Sequence, residues 1–379
     1  MKKLLYITNI PTPYRNYRFN KMSAVLSKYG IHLQVLFMNS TESDRNWLLQ
    51  TEKMNYDFKI FSTKKVKKFM GMWLHFPIDL FKYISLSEES YDYLVLGGLA
   101  SPAHLWISLN LKSEKNNILS VESNVESIQN RGVVAKTVKK WFIDKFEVFQ
   151  VTGKKATEYI EFYSNRNTKN IITLPNVIDE ALFENPEKLN ANYEDIILKE
   201  RQNGNQVWLL PARLIPKKGI VPFLYGLKES DNVSVLIAGV GGLEEDIKRI
   251  ISDKKINVNL LGYVQSNQIP SLMMASDFLL LPSMSDPYPL SVIEASFLGV
   301  PLIVSKNIGN YQEVLTENKN GWGFTISDQS DIRRVIEQAL NTTQSERLEM
   351  GKAGRINYLE RFQSDKVITE YIKQIINLA

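Results

Sequence analysis

The chain has 379 residues, more than one ordinary hydrophobic core organises, and this length predicts two domains. Its 44% hydrophobic and 23% charged residues exclude fibrous and disordered classes, and its lack of cysteine excludes disulfides, a thiol nucleophile and cysteine-based metal sites. The net charge of +5 arises in residues 1–180, which hold 25 Lys and Arg against 17 Asp and Glu, so we expect only this half to face an anionic partner.

Strands and helices alternate along the sequence. In the first half, short apolar runs predict strands at residues 4–8, 31–38, 56–61, 93–96, 118–121, 148–151 and 171–174. Helical patterns lie between these runs, for example at 17–27 and 134–146. In the second half, the same signal predicts strands at 207–210, 233–238, 258–261, 278–281 and 302–304. Such alternation is typical of βαβ units, so we expect an α/β fold with two Rossmann-like parallel-sheet domains.

Composition places the domain boundary near the middle of the chain. Residues 1–179 predict a first domain, whereas the mostly polar residues 180–206 carry no strand signal and predict a linker. Residues 207–362 predict a second domain. The amphipathic helix expected within 363–379 would pack back on the first domain. The apolar start of the chain is too short for a signal peptide, and no run approaches the roughly 18 apolar residues of a membrane span.

Two carboxylates mark residues 281–305, where an apolar strand leads through a Pro- and Ser-rich loop into a helix. Asp286 lies in the loop, and Glu294 follows eight positions later, about one turn inside the helix. Leu290 and Ser291 open that helix, where backbone N–H groups favour an anion, and the carboxylates could bind hydroxyls beside it. A phosphate next to hydroxyls describes a sugar nucleotide. Taken alone, such a pair is more often a solvated turn residue and a helix surface residue.

A basic loop follows the first strand of the second half. Arg213 offers a planar fork and Lys218 a point charge, and both suit phosphate oxygens. A cationic pair at the carboxyl end of a strand can hold a diphosphate and stabilise it as it leaves. A basic loop is usually just solvated, but in a parallel sheet this loop opens on the same edge as Asp286. The position therefore favours a functional interpretation.

Two further loops suit a nucleotide. Gly239 and Gly241 follow a strand and open a helix, but Glu244 breaks the full Gly-x-Gly-x-x-Gly pattern. We interpret these glycines as packing residues that also let a phosphate approach. Tyr263 follows the next strand and could present its ring to a nucleobase. A simple turn with a half-buried tyrosine fits that position equally well.

Basic residues lie beside aromatic ones in two segments, 64–76 and 131–145. Such segments suit the surface of an anionic membrane or a lipid-phosphate acceptor. A core-facing helix with a charged outer face is an equal alternative. Nucleic acid is not expected as a partner, because the charge excess is modest and no binding motif accompanies it.

Together these residues resemble the retaining glycosyltransferases of family 4, which have the GT-B fold. The resemblance covers nearly the whole chain and is strongest at 7–15, 175–179, 212–219, 281–305 and 309–314. The family's two glutamates, eight positions apart, correspond here to Asp286 and Glu294. The resemblance implies that Arg213 and Lys218 grip the donor diphosphate. It also implies that Glu294 holds the ribose, that Asp286 contacts the transferred sugar, and that two domains face a cleft with the last helix crossing back to the first.

The sequence departs from the family in several places. Glu122 stands where many members have a histidine near the reacting sugar, and residues 9–15 replace the usual glycine pair after the first strand. Pro289 has no N–H, so an amide contact to phosphate would come from Leu290 or Ser291. We expect the acceptor or the donor sugar near four residues of the first half, Arg15, His104, Glu122 and Asn124.

The resemblance implies transfer of a sugar from a nucleoside-diphosphate sugar to a glycan or lipid-linked acceptor, with retention of anomeric configuration. No Asp-x-Asp occurs, so neither a metal nor another cofactor is expected. The family suggests bacterial surface-polysaccharide or glycoconjugate synthesis in the cytoplasm, at the inner face of the cell membrane. Two alternatives stay open. One is a UDP-sugar 2-epimerase of the same fold, which the sparse histidines disfavour, and the other is a non-catalytic sugar-nucleotide-binding partner of another transferase.

Overall fold

The computed structural model describes residues 1–41, 50–61, 78–86, 91–98, 102–111, 116–128, 132–164 and 170–378. The chain divides into two compact units, Met1–Val177 with Ser364–Ala379, and Ile178–Gln363. Each unit is a parallel sheet covered by helices. The predicted α/β class with two Rossmann-like sheets is therefore confirmed.

The first unit holds one parallel sheet within the described ranges. Its strands are β1 (Lys2–Thr8), β2 (Ile31–Phe37), β3 (Asp57–Ile60), β4 (Tyr93–Gly97), β5 (Asn116–Val121), β6 (Val148–Val151) and β7 (Asn170–Thr173). Their order across the sheet is β3-β2-β1-β4-β5-β6-β7. The helices are α1 (Pro13–Lys28), α2 (Ile78–Leu86), α3 (Pro102–Leu109), α4 (Gly132–Ile143), α5 (Lys154–Tyr163) and α15 (Ser364–Ile376). Apolar side chains form a core on each face of this sheet.

The second unit repeats the plan. Its strands are β8 (Gln206–Pro211), β9 (Val233–Ala238), β10 (Val258–Gly262), β11 (Phe278–Leu281), β12 (Leu302–Ser305) and β13 (Gly321–Phe324), in the order β10-β9-β8-β11-β12-β13. Its helices are α6 (Glu180–Glu184), α7 (Ala191–Gln202), α8 (Ile220–Gly226), α9 (Glu244–Lys254), α10 (Ile269–Met274), α11 (Ser291–Leu298), α12 (Tyr311–Val314), α13 (Gln329–Leu340) and α14 (Gln344–Arg361). Every residue of β9 and β11 is buried, as expected of parallel strands with helices on both faces.

Local chemistry explains where the elements differ from the sequence expectation. The helix predicted from residue 17 begins at Pro13, because a proline in the first turn needs no N–H partner and already has a helical φ. β13 lies in a Gly-Trp-Gly-Phe sequence that lacks an apolar run, so no pattern predicted it. The stretch 180–206, assigned to a linker, holds α6 and α7 within the second unit, because Phe183 and Ile197 pack in its core.

The last helix completes the core of the first unit. Tyr371, Ile372 and Ile375 are fully buried among residues of α1 and the sheet. The hydroxyl of Tyr371 donates to Oε1 of Gln150 on β6, and Lys21 of α1 pairs with Asp365 at 2.7 Å. The helix therefore belongs to the first unit although it follows the second in sequence.

Candidate functional site

The loop after β8 is held close to the loop after β11. Gly219 has a left-handed φ of 64°, and a Cβ there would lie 1.9 Å from the carbonyl oxygen of Pro282, so only glycine allows this approach. The carbonyl of Lys217 accepts hydrogen bonds from the backbone N–H of Met284 at 2.9 Å and of Ser285 at 3.3 Å. The backbone thus fixes the two loops against each other at the carboxyl edge of the sheet.

An ion pair joins the side chains of these loops. Nζ of Lys218 donates to Oδ2 of Asp286 at 2.5 Å, and only about a sixth of each side chain is exposed. The sequence placed both residues on one sheet edge, and the structure brings them into direct contact. Arg213 lies earlier on the same loop and is half-buried.

A third loop, between β12 and α12, supports Asp286 from behind. The backbone N–H of Gly309 donates to the carbonyl of Asp286 at 2.8 Å, and a Cβ on Gly309 would lie 1.5 Å from the carbonyl oxygen of Pro287. The buried side chain of Asn310 donates to the carbonyl of Pro289 at 3.0 Å. The proline-rich loop therefore has little freedom, and Asp286 is presented by a rigid frame.

Helix α11 begins where this loop ends. Leu290 is its N-cap residue and Ser291 its first residue, so the first amides of the helix have no partner in the helical ladder and favour an anion. Glu294 lies in the first turn, and within the described residues its side chain makes no hydrogen bond or ion pair. Burial raises the pKa of Glu294 to about 7. A carboxyl group with a pKa near neutrality therefore lies beside a helix start whose first amides favour an anion.

The predicted glycine loop packs against the Arg213 loop. A Cβ on Gly239 would lie 2.0 Å from the carbonyl oxygen of Ala212, and one on Gly241 would lie 2.4 Å from that of Leu214. These glycines let two backbones touch, which is the packing role expected of them. Tyr263 is 57% exposed and follows β10, the edge strand, with β9 between it and β8. The structure thus leaves Tyr263 apart from the Lys218–Asp286 pair.

The first unit has its own polar cluster, at the carboxyl edge of its sheet. Nη2 of Arg15 on α1 donates to Oε2 of Glu122 at 2.9 Å, directly after β5, and Nη2 of Arg18 lies 3.9 Å from Oε1. Burial acts to raise the pKa of Glu122, but the guanidinium groups of Arg15 and Arg18 outweigh it and lower the pKa below its usual value. Glu122 is therefore a fixed anion.

His104 and Asn124 are inside the first unit. Nε2 of His104 lies 2.9 Å from the carbonyl oxygen of Gly97, and a Cβ on Gly98 would lie 2.8 Å from that nitrogen. The histidine therefore packs against the end of β4. Asn124 is 1% exposed in the loop that also carries Glu122. Of the four residues expected near the acceptor or the donor sugar, the structure joins Arg15 to Glu122.

Residues 194–357 match the family model of glycosyl transferases group 1. An Escherichia coli protein, the UDP-Gal:alpha-D-GlcNAc-diphosphoundecaprenol alpha-1,3-galactosyltransferase, is 28% identical over 70% of this chain and 78% of its own length. The O-antigen biosynthesis glycosyltransferase WclY of Escherichia coli is 26% identical over 44% of this chain and 45% of its own length. These matches indicate a glycosyltransferase.

Solved structures show the fold of this chain. Anabaena HepE in complex with UDP has a TM-score of 0.74 at 15% identity, with 100% of both chains covered. The lipopolysaccharide outer core galactosyltransferase WaaB has a TM-score of 0.70 at 14% identity, again over 100% of both chains. The chain has the GT-B fold, as the resemblance implied.

The structure describes part of the two basic segments predicted from the sequence. Segment 64–76 lies outside the described residues, and 131–145 is described largely as α4. On α4, Val133 is 81% exposed and Trp141 42% exposed. Lys136 lies over the ring of Phe162 at 4.7 Å, and Lys145 over that of Trp141 at 4.9 Å. No helix in the described ranges is long and apolar enough to cross a membrane.

Sequence reasoning missed two contributors to these sites. Arg18 was not identified, because the predicted helix began at residue 17 and left out Arg15. In α1, which begins at Pro13, the spacing of three places both arginines on one face. The supporting contacts of Gly309 and Asn310 were also missed, because they are tertiary contacts between loops about twenty residues apart. The available signal was a Gly-Asn pair in the loop that follows the predicted strand 302–304.

Proposed function

We propose that the chain is a retaining glycosyltransferase that moves a sugar from a nucleoside-diphosphate sugar to a hydroxyl of a glycan or lipid-linked acceptor. The observation that carries this proposal is the Lys218–Asp286 pair, fixed at the sheet edge beside the first turn of α11 with its unpaired Glu294. All of these residues lie within the segment that matches the glycosyl transferase family model.

The donor would be held by charges of both signs. Arg213 and Lys218 suit the diphosphate, together with the first amides of α11 near Leu290 and Ser291. The Glu294 carboxylate suits the two ribose hydroxyls, since charge-assisted hydrogen bonds are the strong ones. Asp286 would orient the donor sugar while it also holds Lys218. Gly239, Gly241 and Tyr263 would complete the nucleotide side.

The transfer needs no side-chain nucleophile. The bond between the anomeric carbon and the diphosphate oxygen breaks, the acceptor oxygen bonds to the same carbon from the same face, and the acceptor proton passes to the departing diphosphate. Arg213 and Lys218 would stabilise the negative charge that grows on that leaving group. We propose that no divalent metal takes part, because the sequence has no Asp-x-Asp motif.

Similar proteins support the proposed substrates and the proposed cellular location. HepE has been solved with UDP and with UDP-glucose, so uridine donors are the first to test. Related proteins are named for a diphosphoundecaprenol-linked acceptor and for O-antigen biosynthesis. We propose a role in bacterial surface-polysaccharide synthesis at the inner face of the cell membrane. The exposed apolar residues and lysines of α4 support contact with anionic lipid.

The test is a thermal-shift screen with UDP, GDP, ADP and dTDP and their common sugar conjugates, with and without a chelator. We expect one nucleotide to raise the unfolding midpoint, and the chelator to change nothing. Arg213→Ala, Lys218→Ala and Glu294→Ala should abolish the shift. The matched control is Lys217→Ala, on the neighbouring residue, because its backbone carbonyl makes the loop contact and alanine keeps that carbonyl.

Turnover then separates the alternatives. Sugar transfer to an added acceptor would support the proposal, and conversion of the donor without acceptor would favour an epimerase. Donor binding without turnover would favour a non-catalytic partner. If no nucleotide binds at millimolar concentration, the donor site has been misassigned.

A further inference from the structure

The cluster at the start of α1 in the first unit has a charge arrangement that folding alone does not require. Arg15 and Arg18 both point to Glu122, with 12%, 1% and 34% of the three side chains exposed. Two cations and one carboxylate leave an excess positive charge in a mostly buried place. Cations in the first turns of a helix also oppose its dipole. Replacing buried ion pairs by apolar residues of similar size is often neutral or stabilising, so stability alone does not explain this arrangement.

Buried polar atoms around this cluster are unsatisfied. Within the described residues, Nε and Nη1 of Arg18, Nε of Arg15, Oδ1 of Asn9 and Oγ1 of Thr12 have no hydrogen-bond partner. All of them lie between the end of β1 and the second turn of α1. Unpaired buried polar atoms are uncommon in native proteins, and so many in ten consecutive residues indicate a polar ligand or ordered water at this edge.

The exposed member of the cluster decides the class of ligand. Glu122 is the most accessible of the three charged side chains, and its carboxylate stays ionised because two guanidinium groups face it. The excess positive charge lies on the buried guanidinium groups, so an incoming phosphate would first contact the more exposed carboxylate, which repels it. A neutral ligand with several hydroxyls would instead donate to the carboxylate and to the oxygens of Asn9 and Thr12. The chemistry therefore favours a sugar over an anion.

We propose that Glu122 binds hydroxyls of the acceptor sugar and so helps to set acceptor specificity, with Arg15 and Arg18 as positioning residues that fix its carboxylate. This inference rests on the proposed function, which gives the donor to the second unit and leaves the sugar at the first unit as the acceptor. The buried guanidinium groups hold the carboxylate in one orientation, so little order has to be created when the acceptor binds.

Ligand-observed NMR on the full chain tests this inference, with UDP present and the methyl α-glycosides of glucose, galactose, mannose and N-acetylglucosamine as probes. We expect at least one glycoside to bind the parent protein and to bind Glu122→Gln at least tenfold more weakly. The matched control is Glu126→Gln, four residues further along the same loop, which removes a similar carboxylate paired with Lys155 at 2.5 Å. Its glycoside binding should equal that of the parent.

Three results would overturn the inference: equal glycoside binding by Glu122→Gln, no glycoside bound by the parent, or binding of inorganic phosphate in place of every glycoside. If Glu122→Gln does not fold, Glu122→Asp keeps the charge, withdraws the carboxylate by one methylene and should still weaken glycoside binding. For the positioning role, Arg15→Lys should weaken glycoside binding while the unfolding midpoint stays constant. The thermal shift with UDP should persist in all these variants. If UDP gives no thermal shift even with the parent protein, the proposed donor site is wrong, which is a different failure from that of the acceptor inference.

Discussion

Glu122 in the first unit and Glu294 in the second are both partly buried at a sheet edge, yet the pKa of Glu122 is lowered and that of Glu294 is raised. Glu122 faces the guanidinium groups of Arg15 and Arg18, which lower its pKa although burial acts against them. Glu294 has no ion-pair partner among the described residues, and burial raises its pKa to about 7. The first is a fixed anion, and the second titrates near neutrality.

Magnitudes explain the difference. A rise of the Glu294 pKa from 4.5 to about 7 corresponds to about 3 kcal/mol of lost solvation. At an effective dielectric constant of about 20, a charge pair 3 to 4 Å apart is worth about 4 to 5 kcal/mol. One close guanidinium therefore outweighs the burial of one carboxylate. Glu122 is therefore ionised before a ligand binds. Glu294 is only partly ionised near neutral pH, and a ligand that hydrogen-bonds to its carboxylate would favour its ionisation.

The largest expected effect comes from neutralising the titrating carboxylate. In Glu294→Gln, hydrogen bonds from two ribose hydroxyls to a charged group are lost, each worth about 1.5 to 3 kcal/mol. We expect kcat/KM for the donor sugar nucleotide to fall about 100- to 1000-fold in initial-rate assays. The control Glu349→Gln, exposed on α14, should keep the parent rate. A loss below fivefold in Glu294→Gln would remove this residue from the donor site.

Removing Glu122 from its ion pairs with Arg15 and Arg18 should lower the stability of the folded chain more than it lowers activity with the donor sugar nucleotide. Glu122→Ala leaves Arg15 and Arg18 without a countercharge, and removing one partner of a buried pair costs about 3 kcal/mol. We expect urea unfolding at correspondingly lower concentration. Adding Arg18→Met should recover part of the loss, because one buried cation is removed. If the double variant is as unstable as the single one, charge is not the cause.

The pH dependence of binding separates the two carboxylates directly. Protonated Glu294 cannot accept from two hydroxyls, so donor affinity should fall as pH drops below about 7. Titration calorimetry with UDP-glucose should show about tenfold weaker binding at pH 6 than at pH 8, following the ionised fraction. Glu294→Gln should show no such dependence. Glycoside binding should stay constant over the same range, because the pKa of Glu122 is lowered. A flat donor profile in the parent protein would contradict the comparison.

The smallest expected effect is that of Glu294→Gln on the free energy of unfolding. The pKa of Glu294 is raised in the folded chain, so ionisation favours the unfolded state once the pH exceeds the unfolded value of about 4.5. The loss of stability grows with pH and is complete above about 7. Allowing for partial exposure, Glu294→Gln should be more stable than the parent by about 1 kcal/mol at pH 8 and nearly equal at pH 5. Urea unfolding at both values checks this, and a lower stability at pH 8 would contradict it.

The sequence predicted the layout better than the charges. Each apolar run that predicted a strand corresponds to a strand of the structure. The carboxyl ends of parallel strands lie at the same sheet edge, so the sequence also predicted that Lys218 lies near Asp286. The Gly-rich β13 gave no signal. The pairing of Arg15 with Glu122, 107 residues apart, depends on how α1 crosses the sheet. The pKa of Glu294 depends on burial by distant residues, which no local pattern encodes.

The position of α15 has a consequence for how the chain is made. A ribosome synthesises Ile178–Gln363 before the helix whose Tyr371 and Ile372 close the core of the first unit. Until that helix is made, residues 1–177 expose the apolar surface that the helix covers in the folded chain. The first unit is therefore synthesised first but can complete its core only after the second unit has been synthesised. A chain released at Gln363 should form a protease-resistant second unit and leave residues 1–177 open to digestion.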